Sequence, residues 1–164
     1  MGILLLETNF PRITGDIGNA NTFPFPVLYK TVKGASPGKV LGPKDEGLLQ
    51  AFIQAGKELE EQGVKAITTS CGFMVLYQKE IGENLSIPFF SSSLLQVPLV
   101  HKIIGNMKKI GIITFDSQAL TKEHLLAAGI DENIPLIIAG MENSTAFAGF
   151  LKGEKDTEIG RAHV

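Results

Sequence analysis

The cysteine of this chain stands where a predicted strand gives way to a predicted helix. Cys71 lies in the motif TTSCGF, after the strand predicted for residues 64–69. Ligands of open parallel sheets bind beyond the carboxyl ends of the strands, and the start of a helix favours a thiolate. We therefore predict a thiol more acidic than a free cysteine, with a hydroxyl donor at Ser70 and close backbone approach at Gly72. The competing interpretation, a small buried hydrophobic side chain, is equally open from position alone.

A loop with candidate binding residues follows the first predicted strand, residues 3–6. Residues 7–26 show neither helical nor strand periodicity, and loops of this length are often functional. Arg12 could hold a carboxylate through its planar fork. The interpretation we prefer is that Arg12 pairs with Asp16 and braces the loop. The glycines of the loop do not form a dinucleotide-binding fingerprint.

Hydroxyl side chains follow two further predicted strands. Ser92 and Ser93 come after the strand predicted for residues 87–90 and could bind an anion at the start of a helix. Helix capping is the better interpretation for at least one of them. Thr114 ends the strand predicted for residues 109–114 and could contact a ligand at the same edge of the sheet.

The three histidines, His101, His124 and His163, show no metal-ligand spacing with one another or with Cys71. We therefore expect no metal site. His124 could act as an acid or a base, but an exposed position on a helix is the interpretation we prefer. The sequence contains neither a phosphate-binding loop nor the nucleophile motif of serine hydrolases.

Strands and helices are predicted to alternate along the chain. The strands are predicted at residues 3–6, 27–32, 64–69, 87–90, 109–114 and 135–139, and the helices at 45–62, 73–81, 94–104, 120–128 and 144–151. This alternation indicates an α/β fold with a parallel sheet and helices on both of its faces. The helix of residues 45–62 is the clearest, because its apolar residues form one stripe.

The composition excludes several classes of protein. The chain has 164 residues, of which 44% are hydrophobic and 20% charged, and its net charge is −2. These values describe an ordinary globular protein of one domain or two small lobes, without bulk attraction to nucleic acid or an anionic membrane. The apolar start ends at Leu6, which is too short for a signal peptide or a membrane span. A single cysteine fits a reducing cytoplasm, which we expect to be its compartment.

The last residues of the chain lack the patterns that predict secondary structure elsewhere. Residues 158–164, EIGRAHV, have no hydrophobic period and no capping pattern, and they read like the translation of a sequencing-library adapter. The alternative is a short polar tail. We expect a non-native tail here, with the natural chain continuing past Thr157.

Several stretches of the sequence resemble the aspartate/glutamate racemase family, in a branch close to the hydantoin racemases. They are NFPRI at residues 9–13, GDIGNA at 15–20, TFPFPV at 22–27, AITTSCGF at 66–73, SSLLQVPLV at 92–100 and LTKEHL at 120–125. The resemblance implies two flavodoxin-like, doubly wound α/β lobes with the active site between them. It also implies that the reaction needs neither pyridoxal phosphate nor a metal, and that the protein is a homodimer.

The resemblance also assigns parts of the chain to lobes and roles. Residues 1–105 match a first lobe that carries Cys71 as one of two catalytic thiols, and residues 106–157 match part of a second lobe. The substrate contacts that it implies are Ser70, Gly72 and Thr114, and the loop residues Asn9 and Arg12 are expected to border the pocket.

The implied reaction is cofactor-independent racemisation or epimerisation at the α-carbon of an amino acid or a hydantoin. A thiolate removes the α-proton from one face, and a thiol returns a proton to the other. No cysteine follows Cys71, so we expect this chain by itself to be an inactive fragment. The alternatives are a one-cysteine decarboxylase or cis–trans isomerase of the same superfamily, and a non-catalytic module that binds a small ligand.

Overall fold

Strands and helices alternate along the chain, as the sequence predicts. The computed structural model describes residues 1–145 and residue 147. Its elements are β1 (Gly2–Leu5), β2 (Leu28–Thr31), α1 (Pro37–Val40), α2 (Glu46–Glu61), β3 (Ile67–Thr69), α3 (Gln78–Glu83), β4 (Phe89–Phe90), α4 (Val97–Ile104), β5 (Ile110–Thr114), α5 (Lys122–Ala127) and β6 (Leu136–Gly140), with 3-10 helices at Gly72–Tyr77 and Ser93–Gln96.

The strands form two sheets in which every pair of neighbours is parallel. The first sheet has the order β2-β1-β3-β4, and the second pairs β5 with β6. The order of the first sheet is that of flavodoxin-like folds, in which the direction of winding reverses between β1 and β3. The predicted α/β fold class with parallel, doubly wound sheets is therefore confirmed. Loops after β1 and β3 meet at the switch point, where such folds bind ligands.

Helix α2 illustrates why the pattern of the sequence produces this fold. Asp45 caps its start, because its carboxylate accepts a hydrogen bond from the backbone N–H of Leu48 at 2.9 Å. Phe52 and Leu59 on the apolar stripe are fully buried, and each such side chain contributes about 1.5–3 kcal/mol when removed from water. Gly63 follows the helix with φ of 84°, a conformation that glycine adopts without steric cost.

Several predicted bounds differ from the observed ones. The helix predicted for residues 73–81 is a 3-10 helix, Gly72–Tyr77, that continues as α3. The helix predicted for residues 94–104 likewise begins as a 3-10 turn, and Pro98 lies in the first turn of α4, where its missing N–H needs no partner. Helix α1 is not among the predicted helices, because its proline and glycine are typical of turns.

Two predicted segments fall at the end of the described residues. The helix predicted for residues 144–151 lies mostly outside them, and the tail predicted for residues 158–164 lies wholly outside them. In residues 1–145 and 147, no helix has both the length and the apolar character that crossing a membrane requires.

Candidate functional site

Cys71 lies just beyond the carboxyl end of β3, beside the end of β1. Its backbone is extended, with φ of −134° and ψ of 112°, and it directly precedes the 3-10 helix Gly72–Tyr77. The side chain is partly buried and lines a cavity of about 380 Å³ at the switch point of the first sheet. The structure thus places the thiol at the sheet edge that the sequence predicts.

Two hydroxyl side chains hold the backbone around Cys71 in place. Thr69 is buried, and its Oγ1 lies 2.9 Å from the carbonyl oxygen of Cys71 and accepts from the Cys71 N–H at 3.3 Å. Ser70 Oγ accepts a hydrogen bond from the Leu6 N–H at 3.3 Å. The ends of β1 and β3 are therefore joined by side chains as well as by the strand ladder, which orients the thiol towards the cavity.

The prediction that the Cys71 thiol is unusually acidic is wrong for this structure. Burial raises its pKa, whereas hydrogen bonds from the backbone N–H groups of Phe73 and Met74 lower the pKa by less. Removing a thiolate from water costs more free energy than hydrogen bonds from two N–H groups of a short 3-10 helix contribute. Because its pKa is raised above the ordinary value, the thiol is protonated at neutral pH.

Gly72 and the serines after β4 form the next part of the cavity wall. Ser92 is buried and caps the 3-10 helix Ser93–Gln96, because its Oγ accepts from the Leu94 N–H at 3.2 Å. A Cβ on residue 72 would lie 3.0 Å from that oxygen, so the glycine allows this close approach. Ser93 is exposed and also lines the cavity, and the capping bond is made by its neighbour Ser92.

Arg12 braces the loop after β1 and also lines the cavity. Its guanidinium donates to Asp16 Oδ1 at 2.9 Å and to Thr8 Oγ1 at 3.0 Å, and it lies over the Phe10 ring at 4.5 Å. The preferred interpretation, pairing with Asp16, agrees with this geometry. Asn9 does not line the cavity of Cys71, contrary to expectation. It borders a neighbouring depression together with Thr8 and Arg12.

The second sheet supplies the facing wall of the cavity. This wall consists of Ile112, Ile113, Thr114, Phe115, Leu120 and Phe147. The rings of Phe115 and Phe147 pack edge to face with their centroids 5.5 Å apart. Thr114 therefore reaches the same cavity as Cys71, as predicted, but its neighbours there are apolar. Among the described residues, Arg12 and Asp16 are the charged side chains that line the cavity.

His124 is not on the surface, and the expectation of an exposed position is wrong. The ring is only 4% exposed and packs edge-on against Phe73, with ring centroids 5.2 Å apart. Nδ1 accepts a hydrogen bond from the Thr121 N–H at 3.2 Å, while the buried Nε2 has no hydrogen-bond partner among the described residues. His124 thus joins α5 to the 3-10 helix that follows Cys71.

Acidification is expected to destabilise the fold through His124. Burial lowers its pKa more than the neighbouring Glu123 raises it, so the unfolded chain binds the proton more readily than the folded one. This contribution to stability is complete above about pH 6.5, the ordinary value for histidine, and is lost as the pH falls towards the lowered pKa. Urea unfolding at about pH 7.5 and about pH 5 measures the loss. His124→Gln should reduce the change in the free energy of unfolding between the two pH values. His101→Gln is the control for the removal of an imidazole. An equal change in the parent and in His124→Gln would contradict the assignment.

The described residues contain no group of three histidine, cysteine, aspartate or glutamate side chains that could hold a metal ion. The site residues that sequence reasoning missed are mainly aromatic and apolar, chiefly Phe10, Phe115 and Leu120, and they also include Thr8. Ligands of parallel sheets bind beyond the carboxyl ends of the strands, and this rule, which identified Cys71, would also have identified Phe115, because Phe115 directly follows β5. Leu120 and Phe10 have no such signal.

The chain is similar to several curated enzymes that share one name. It is 31% identical over 164 residues to a dimethylsulfoniopropionate lyase of Durusdinium sp. clade D, a match that covers 94% of this chain and 53% of that protein. It is 30% identical over 170 residues to dimethylsulfoniopropionate lyase 7 of Emiliania huxleyi (strain CCMP1516), covering 100% of this chain and 50% of that one. The chain therefore spans about half the length of the curated relatives it matches. No family model matches the chain.

Solved structures with a similar fold come from two other kinds of protein. A cysteine variant of arylmalonate decarboxylase in a sulfate-associated form aligns with a TM-score of 0.58 at 12% identity, covering 90% of this chain and 65% of that one. An aspartate racemase homologue from Pyrococcus horikoshii OT3 aligns with a TM-score of 0.50 at 14% identity, covering 84% and 64%. The chain shares its α/β fold with an arylmalonate decarboxylase and an aspartate racemase homologue.

Proposed function

We propose that this chain carries the thiol base of an enzyme that removes the proton next to a substrate carboxylate and expels a group from the neighbouring carbon. The observation that carries this proposal is the place of Cys71, which lines the cavity at the switch point of the first sheet. The named relatives favour a lyase, and a carboxylate with a sulfonium group on its β-carbon is the substrate class that their name describes.

The elimination needs one base and no second acid. The Cys71 thiolate takes the α-proton, the electrons of that C–H bond form the new double bond between the α- and β-carbons, and the bond from the β-carbon to sulfur breaks. Its electron pair stays on sulfur, so a neutral sulfide and an unsaturated carboxylate leave. A neutral sulfide requires no proton to depart, so one thiol suffices for this chemistry, whereas racemisation needs a second acid or base.

The raised pKa of Cys71 is compatible with a base of this kind. A buried thiol stays protonated until a positive charge enters the cavity, because burial penalises the thiolate. A cationic substrate group near the sulfur would offset this penalty and lower the pKa of the thiol. The thiolate would then form when substrate is bound and would act as a strong base, since it remains poorly solvated.

The polar wall is suited to hold the substrate carboxylate. Ser70 and Ser93 bring hydroxyl groups to the cavity beside Cys71, and Arg12 brings a cation. Developing negative charge on the carboxylate, as the α-proton leaves, is stabilised by donors that are already oriented. We further propose that residues 1–105 form the lobe that contributes the thiol and that a second lobe, beginning at residue 106, closes the cavity with the wall around Thr114.

Racemisation or epimerisation at the α-carbon of an amino acid or hydantoin is the second candidate. The observation that favours it is the fold, which the chain shares with an aspartate racemase homologue. It would require a second acid or base on the opposite face of the substrate. In this chain no second thiol is present to supply it.

The test is incubation in deuterated buffer with 3-dimethylsulfoniopropionate and, in separate reactions, with aspartate, glutamate and a substituted hydantoin. The expectation that this chain is inactive rested on a second thiol, which the elimination does not need. The proposal therefore expects dimethyl sulfide and acrylate from the first compound and no change in optical rotation of the others. Gas chromatography measures the sulfide, and NMR measures acrylate and deuterium at the α-carbon. Loss of optical rotation without release of sulfide would replace the lyase with the racemase.

A further inference from the structure

The two walls of the Cys71 cavity differ in chemistry. The wall from the first sheet carries the charged pair Arg12 and Asp16 and the hydroxyls of Thr8, Ser70 and Ser93, set among apolar side chains such as Leu6, Phe10, Leu41 and Phe73. The wall from the second sheet carries, among its described residues, one hydroxyl, that of Thr114, and otherwise aliphatic and phenylalanine side chains. A substrate that spans this cavity therefore meets hydrogen-bonding groups at one side and apolar surface at the other.

The apolar wall discriminates between two kinds of cation. A primary ammonium carries N–H donors that need acceptors, and the described side chains of this wall provide a single hydroxyl. An ammonium placed there would lose hydrogen bonds to water without replacement. A methylated onium group has no N–H donor, so it loses none.

The phenylalanine pair adds an attraction that depends on charge. Aromatic faces attract cations, and methylated onium groups are the ligands for which aromatic walls are used most often. Phe115 and Phe147 are partly buried, line the cavity and hold each other edge to face at 5.5 Å, which limits the movement of both rings.

The charges of the cavity point to the same class of ligand. Arg12 and Asp16 pair at 2.9 Å, so the charged side chains that the described residues place in the cavity sum to zero. A zwitterion with one carboxylate and one onium group also has zero net charge. A dicarboxylic amino acid would bring a net negative charge that these residues do not balance.

We propose that the wall formed by Phe115 and Phe147 is a subsite for a methylated onium group, which selects zwitterionic onium carboxylates over amino acids. The inference rests on the proposed function only in taking the carboxylate to lie at the polar wall beside Cys71. The onium group then stands at the facing wall, within the same cavity as the thiol that it helps to ionise.

The test compares three compounds with one skeleton in binding to the 164-residue chain by calorimetry. They are 3-(trimethylammonio)propanoate, its isostere 4,4-dimethylpentanoate, in which an uncharged tert-butyl group replaces the trimethylammonium, and β-alanine, which has a primary ammonium. The trimethylammonio compound is chosen because an amine leaves far more slowly than a sulfide. We expect it to bind about 10-fold more tightly than the isostere. The ratio of its affinity to that of β-alanine should be larger still.

Variants at residue 115 distinguish the effect of the aromatic ring from the effect of side-chain volume. Phe115→Leu should weaken binding of the trimethylammonio compound about 5-fold and that of the isostere less than about 2-fold, and Phe115→Tyr should restore the difference. Phe25→Leu is the matched control, because Phe25 also pairs with another phenylalanine, Phe23, at 5.3 Å but does not line the cavity. Equal weakening of both compounds, or tightest binding of β-alanine, would overturn the proposal.

Failure of this inference and failure of the proposed function give different results. If the rings do not bind the onium group, the ratio of the two affinities is unchanged in Phe115→Leu, while release of dimethyl sulfide still depends on Cys71. If the lyase proposal is wrong, no sulfide is released, while the preference for the onium compound and its loss in Phe115→Leu remain.

Discussion

Replacing Cys71 with serine is expected to lower the rate of dimethyl sulfide release by about 10²–10⁴-fold, the usual contribution of a positioned acid or base. A serine hydroxyl is far less acidic than a thiol, so it cannot form the anion that removes the α-proton. The substitution changes one atom at a partly buried position, and a serine hydroxyl can accept the same backbone N–H groups as the sulfur, so the fold should be retained. Initial rates with 3-dimethylsulfoniopropionate measure the effect.

A binding measurement controls for damage to the cavity. The serine variant should bind 3-(trimethylammonio)propanoate within about 3-fold of the parent chain, because the two walls are unchanged. Ser86→Ala, on an exposed turn outside the cavity, is the control for a single-atom change elsewhere in the chain and should leave the rate unchanged. A serine variant with parental rates would exclude Cys71 as the base.

The pH dependence of the parent chain supports or contradicts the same assignment. Because burial raises the pKa of the Cys71 thiol, the rate at low substrate concentration should rise with pH to beyond about 8.5, the ordinary value for cysteine. At saturating substrate the midpoint should move to lower pH, since the bound cation stabilises the thiolate. Coincident midpoints would show that the substrate does not help to ionise the thiol.

Replacing Arg12 with alanine is the second change from which we expect a large effect. The guanidinium donates to Asp16 and Thr8 and covers Phe10, and its side chain is 19% exposed, so water replaces these contacts only partly. Loss of a hydrogen bond that involves a charged group costs about 1.5–3 kcal/mol. We expect the free energy of unfolding to fall by about that amount and substrate affinity to fall at least about 10-fold, as the loop moves from the cavity.

Two further variants identify the cause of this effect. Arg12→Lys keeps the charge but not the planar fork, and it should recover less than half of the loss in stability. Lys122→Ala breaks an ion pair with Glu132 whose side chains are 66% and 76% exposed, and it should change urea unfolding very little. Full rescue by lysine would mean that charge alone, and not the geometry of the fork, holds the loop.

The local pattern of the sequence was sufficient for the elements that depend on neighbouring residues. The stripe of α2 and its cap at Asp45 follow from helical spacing and from one side-chain hydrogen bond. The short apolar runs that became β1 and β5 follow from their length and flanking polar residues. The start of the 3-10 helix after Cys71 was misread as α-helix, because both helices bury side chains at similar spacing.

The position of Cys71 at the carboxyl edge of the first sheet could also be derived from the sequence. A residue directly after a parallel strand must lie at the carboxyl edge of the sheet, whatever packs against that sheet later. The same rule placed Thr114 correctly in the cavity. The rule does not predict the position of Asn9. A loop of twenty residues can turn a side chain away within a few bonds, and Asn9 borders the neighbouring depression.

Other properties depend on contacts between residues that are distant in the chain, and only the tertiary structure decided them. The acidity of Cys71 depends on how deeply neighbours bury it, and the burial of His124 depends on the packing of α5 against Phe73. The apolar wall of the cavity comes from β5 and from Phe147, which no local pattern connects with Cys71. Sequence patterns therefore determined which residues reach the edge of the sheet, whereas burial and the facing wall, which set the chemistry there, follow from how the two sheets pack.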